Sequence, residues 1–202
     1  MRPTRPAAVA AALAWCAVCG WFAFVRGTRV PLLGLVDLGF HELGHLAGYV
    51  LPVGDLATAA MGSLTQCAVP IGLACYFRFA RRDRVGFVAC TAWAATSLQD
   101  ASVYVADAPH QRLALLGGEH DWAYVLGPEQ LDVLHHAGTI AAAVWAAGLA
   151  LLLLAAAVAC HALVPARPTR APRARVPIRV LDPGGDPGWP PGTPGRDPST
   201  TA

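Results

Sequence analysis

Residues 30–51 read Val-Pro-Leu-Leu-Gly-Leu-Val-Asp-Leu-Gly-Phe-His-Glu-Leu-Gly-His-Leu-Ala-Gly-Tyr-Val-Leu, an apolar run that nevertheless holds Asp37, His41, Glu42 and His45. A helix crossing a bilayer needs about 20 mostly apolar residues, and this run has that length. Ionisable groups inside such a run are expensive, and their default explanation is function. Four comparable runs flank it, at about 7–25, 56–80, 85–106 and 138–164. The expectation is an all-α, polytopic transmembrane helical bundle of about five spans, built from residues 1–164. The first run has the basic start of a signal peptide, but its length and the lack of a small-residue cleavage site favour a retained helix.

Composition agrees with a bilayer setting. Of 202 residues, 55% are hydrophobic and 14% charged, with a mean hydropathy of +0.44, more apolar surface than a small water-soluble domain buries. Net charge is only +2, and the 15 basic residues, all Arg, fall mostly in short clusters. That distribution excludes a nucleic-acid-binding surface. The six cysteines lie in apolar stretches, and Cys16-x-x-Cys19 lacks the second pair a zinc site needs, so they read as small hydrophobes.

Arginine placement sets an orientation. Arg26 and Arg29, then Arg81, Arg82 and Arg84, then the arginines from 167 to 179 all follow odd-numbered runs, which places these ends in the cytoplasm. The acid-rich stretch 107–137 falls on the opposite side, and parity puts the N-terminus outside. Residues 165–202, rich in Pro, Arg and Gly, are expected to be a disordered cytoplasmic tail.

His41-Glu42-Leu43-Gly44-His45 is an H-E-x-x-H motif with a mechanical rationale. Residues four apart share a helix face, so both imidazoles can reach one zinc ion while Glu42 stands beside the metal's water as general base. Asp37, Glu42 and Asp100 would each oppose insertion by about 2.5 to 3.5 kcal/mol at mid-bilayer. A bound metal can offset that sum, since structural zinc sites contribute about 10 to 16 kcal/mol.

Two histidines leave the ion short of a ligand, and depth suggests a third. With run two entering near residue 30, His41 lies about 17 Å deep and His45 about 22 Å, at 1.5 Å per residue. Asp100, counted from residue 85, matches that depth, and Gln66, counted back from residue 80, joins the layer. Asp100 is therefore the expected third ligand, with Gln66 a cavity-facing group for substrate backbone or a developing oxyanion. Tyr104 is placed to donate to Asp100. Competing ligands are Asp107, two turns on, and His120 in a loop, 117–122, whose His120-Asp121 pair can fold back into the cavity. Asp37, one turn before His41, is placed to accept the spare imidazole N–H.

The motif within an apolar run, the polar Met61-Gly62-Ser63-Leu64-Thr65-Gln66 segment after it and the later acid-bearing run together resemble the site-2 protease class of intramembrane zinc metallopeptidases, in particular its compact bacterial-type members without extra domains. The resemblance covers about residues 30–107. It implies a multi-pass enzyme of a bacterial-type cell membrane, with Glu42 as catalytic base, His41 and His45 as zinc ligands, and transmembrane or membrane-proximal protein segments as substrates. Two rivals from other classes are a noncatalytic metal-binding membrane protein and a small cation transporter lined by His41, His45, Asp100 and Gln66.

Overall fold

Each apolar run folds as a helix in the computed structural model, which describes residues 6–115 and 119–163. The order is α1 (Pro6–Gly20, extended by a π-helical turn, Trp21–Val25), α2 (Leu33–Val50), α3 (Asp55–Cys75, extended by a π-helical turn, Tyr76–Arg81), α4 (Arg84–Asp107), the short α5 (Asp121–Leu126) and α6 (Ala137–Leu163), which follows a 3-10 turn at Leu134–His136. No strand occurs among the described residues. The expected tail lies outside them.

Three helical segments, Pro6–Val25, Asp55–Arg81 and Leu134–Leu163, are long and apolar enough to cross a membrane. α2 and α4 do not reach that mark by composition. The physical reason is their polar content: α2 carries the ionisable group described above, and α4 spends its length on Thr91, Thr96, Ser97, Gln99, Asp100 and Ser102.

Local chemistry fixes the helix ends. The Asp83 side chain caps α4 by accepting from the amides of Val85 at 2.9 Å and Gly86 at 3.4 Å, satisfying donors that the first turn leaves without partners. Gly54, at φ +81°, takes the left-handed turn that starts α3.

α4 is the axis of the bundle, packed against α1, α3 and α6, while α2 packs on α3 and α5 docks against α3. One side of α4 meets α1 and α6 through a dry seam of small residues that includes Ala12, Cys16, Cys19, Ala92, Ala95 and Ala155. A second apolar cluster, Val105, Val125, Leu126 and Ala141 among others, seats α5. α2 approaches α3 closely because Gly44 and Gly48 present no side chain. A Cβ at Gly44 would strike the Met61 carbonyl, and one at Gly48 would come within 2.8 Å of Thr58, the small-residue packing used between membrane helices.

α2 is inside out. It buries Asp37, His41, Gly44 and Gly48 and exposes Leu35, Val36, Leu43, Leu46 and Val50, the reverse of a helix facing water.

Candidate metal centre

The pitch of α2 carries His41 and His45 onto its α3-facing side, with ring centroids 4.8 Å apart. Each ring is held by its Nδ1. His45 Nδ1 donates to the Thr58 carbonyl at 3.0 Å; a carbonyl only accepts, so the proton sits on Nδ1. Gln66 donates its Nε2 to Asp100 at 3.0 Å, which turns its Oε1 to accept from His41 Nδ1 at 3.2 Å. Both Nε2 atoms therefore present lone pairs.

Those lone pairs converge on one another and on a carboxylate. The two Nε2 atoms are 3.1 Å apart, and Asp121 Oδ2 lies 3.3 Å from His41 Nε2 and 3.2 Å from His45 Nε2. Three acceptors this close repel unless a cation stands among them. An ion bonded tetrahedrally at ~2.0 Å requires ligand atoms ~3.3 Å apart, and the three observed separations match that edge. Among the described residues, His41, His45 and Asp121 form the group able to hold a metal.

Space is kept for the ion. A Cβ on Gly62 of α3 would lie 2.5 Å from His45 Nε2 and 2.6 Å from His41 Nε2, so any larger residue there would fill the volume the lone pairs address. Donor set, spacing and cradle together make a group that could hold a metal ion.

Asp121 reaches this point because α5 is pinned from several directions. The Tyr104 hydroxyl donates to Asp121 Oδ2 at 2.9 Å and accepts from the Asp121 amide at 3.1 Å. Trp122 Nε1 donates to Ser63 Oγ of α3 at 3.0 Å. The buried His120 caps α5 by accepting from the Ala123 amide at 3.2 Å, while its Nε2 lies 3.4 Å from Asp107 Oδ2. Burial raises the Asp121 carboxyl, and the neighbouring His41 and His45 rings with the Tyr104 hydroxyl more than reverse that rise, leaving it below the usual carboxylate range.

The other residues singled out in the sequence stand elsewhere. Asp100, the expected ligand, reaches His41 only through Gln66 and does not join the three acceptors; its carboxylate is engaged by Arg29 Nε at 2.7 Å and by Gln66. Tyr104 serves Asp121 rather than Asp100. Asp37 accepts from Trp93 Nε1 at 2.7 Å and Ser97 Oγ at 2.9 Å, while the His41 Nδ1 that it was expected to hold goes to Gln66. Gln66 is buried and braces His41 and Asp100. Asp107 accepts from the Arg112 and Leu113 amides at 2.9 Å, ordering the loop after α4. His120 is a cap, and its neighbour Asp121 is the third donor. The sequence signal for Asp121 was present in the acid-bearing segment after Gly117-Gly118, but no periodicity tied it to α2.

Glu42 is exposed and, with Arg29, His41, His45, Tyr104 and Asp121, lines a cavity of about 520 Å³. A second cavity of about 690 Å³ shares His45, Tyr49, Glu119 and Asp121 with it, so His45 and Asp121 lie where two accessible spaces meet. Comparison with protein families, with characterised proteins and with solved structures returns no match for this chain.

Proposed function

We propose that this chain is an intramembrane zinc metallopeptidase of the site-2 protease type, hydrolysing peptide bonds of membrane-embedded or membrane-proximal segments. One observation carries the reading: two imidazole lone pairs and a carboxylate oxygen lie at the mutual spacing of a zinc ligand set, beside a cavity that Glu42 also lines. His41, His45 and Asp121 would hold the ion. Bound there, zinc supplies Lewis acidity toward the scissile carbonyl and makes water acidic enough to attack near neutral pH.

Glu42 then takes a proton from the attacking water and passes it to the leaving amine. Tyr104 keeps Asp121 oriented through its two hydrogen bonds. A helical substrate must unwind locally before cleavage, because its carbonyls are otherwise tied into the helix. In this reading all five long helices cross the bilayer, and the outward Leu and Val side chains of α2 meet lipid. The arginine-bearing ends and the tail face the cytoplasm.

The test is a purified full-length chain in detergent or liposomes, offered a transmembrane peptide. Wild type is expected to hold one zinc and cleave; Glu42→Ala is expected to keep the zinc and lose cleavage by at least about 100-fold, the lower end of what a general base contributes. Cleavage retained by Glu42→Ala overturns the hydrolase reading. Metal flux without cleavage supports a transporter, and bound metal with neither supports a structural or sensing site.

A further inference from the structure

The hydrogen bonds behind His41 form a chain across four parts of the fold, and each link has a direction. Arg29, in the α1–α2 connection, donates Nε to Asp100 Oδ1 of α4 at 2.7 Å. Gln66 of α3 donates Nε2 to the other oxygen, Asp100 Oδ2, at 3.0 Å. Its Oε1 accepts from His41 Nδ1 of α2 at 3.2 Å. A guanidinium can only donate and an ionised carboxylate can only accept. The polarity of every later link is thereby set.

We propose that Arg29, Asp100 and Gln66 are positioning residues that fix the tautomer of His41, and so make its Nε2 a metal ligand. The inference rests on the zinc reading above. Without Asp100 the Gln66 amide is free to turn over and offer its NH2 to His41. The imidazole then has to accept at Nδ1, and its proton moves to Nε2, where it excludes the ion. Gln66 is 4% exposed, so water is a poor substitute partner. Outer partners of ligating histidines act in this way generally; here an amide is interposed between carboxylate and imidazole.

His45 supplies an internal contrast, because the Thr58 backbone carbonyl sets its tautomer and no side-chain substitution removes that partner. The links also differ in weight. The Arg29 side chain is 58% exposed and that of Asp100 18%, so the outermost link is screened by solvent and should matter least.

Cobalt(II) affinity of the full-length chain, read from its visible spectrum during competition with a chelator, tests the proposal. Asp100→Ala and Gln66→Ala are expected to bind cobalt about 10- to 100-fold more weakly than wild type, and Arg29→Ala less than about 10-fold more weakly. The double variant Gln66→Glu with Asp100→Asn reverses the middle link, which in wild type runs from Gln66 to Asp100, but leaves Arg29 and His41 Nδ1 donating as before. The introduced amide accepts from Arg29 and donates to the introduced carboxylate, which accepts from His41. It is expected to bind far more tightly than Asp100→Ala. Equal affinity in wild type, Asp100→Ala and Gln66→Ala overturns the positioning chain and leaves the metal centre standing; wild type that binds no cobalt overturns the metal centre itself. Should Asp100→Ala fail to fold, the double variant decides: binding as weak as Gln66→Ala removes the directional argument.

Discussion

The two sides of α4 solve opposite problems. Toward α1 and α6 its first half packs Val88, Ala92 and Ala95 against Cys16, Cys19, Leu152, Ala155 and Ala159, a seam of small apolar side chains. Toward α2, α3 and α5 its second half offers Asp100 and Tyr104 to His41, Gln66 and Asp121. The first seam gains from close contact and has no chemistry to perform. The second collects groups that are costly away from water, and it is tolerable only because each has a partner and three of them can share an ion. A rigid apolar seam on the same helix is what allows the polar one to be held in register.

The comparison breaks most visibly at Gly62. Gly62→Ala places a methyl group against both Nε2 atoms, and is expected to lower zinc affinity on the order of 100-fold or more while leaving the helical circular dichroism unchanged. Full zinc content after gel filtration would show that the converging lone pairs are not the binding site. Overpacking the dry seam should do the reverse. Ala155 is fully buried, and Ala155→Leu is expected to cost about 1–3 kcal/mol in thermal unfolding with zinc affinity unaltered; a parallel loss of metal would mean that the seams are not separable. Tyr104→Phe probes the smallest effect. Losing its hydrogen bonds to Asp121 is expected to weaken zinc binding by about 3- to 10-fold, the equivalent of ~1 kcal/mol, measured by chelator competition.

Much of this arrangement was legible along the chain, and the limit of legibility is itself physical. The positions of the five long helices follow from runs of apolar residues. The depth argument put Gln66 and Asp100 in the layer of His41, using a rise per residue that is a local constant, and hydrogen bonds link the three side chains. It did not separate the carboxylate that meets both Nε2 atoms from the one that braces Gln66. Asp100 and Asp121 are both carboxylates near that layer, and nothing in their neighbours' identities says which meets Nε2 and which is claimed by Arg29. Asp37 shows the same limit. Its spacing from His41 allows the expected contact, but Trp93 and Ser97 from α4 take its carboxylate first.

The amino-acid sequence by itself determined that His41 and His45 share a face with Glu42 beside them, because a helix of fixed pitch converts a spacing of four into proximity. Only the tertiary structure decided the third donor. Asp121 lies 80 residues from His41 on a six-residue helix, and its place is set by Tyr104, by the Trp122–Ser63 bond and by the apolar seat of α5. Those are contacts between distant segments, and they exist only once the chain has closed on itself.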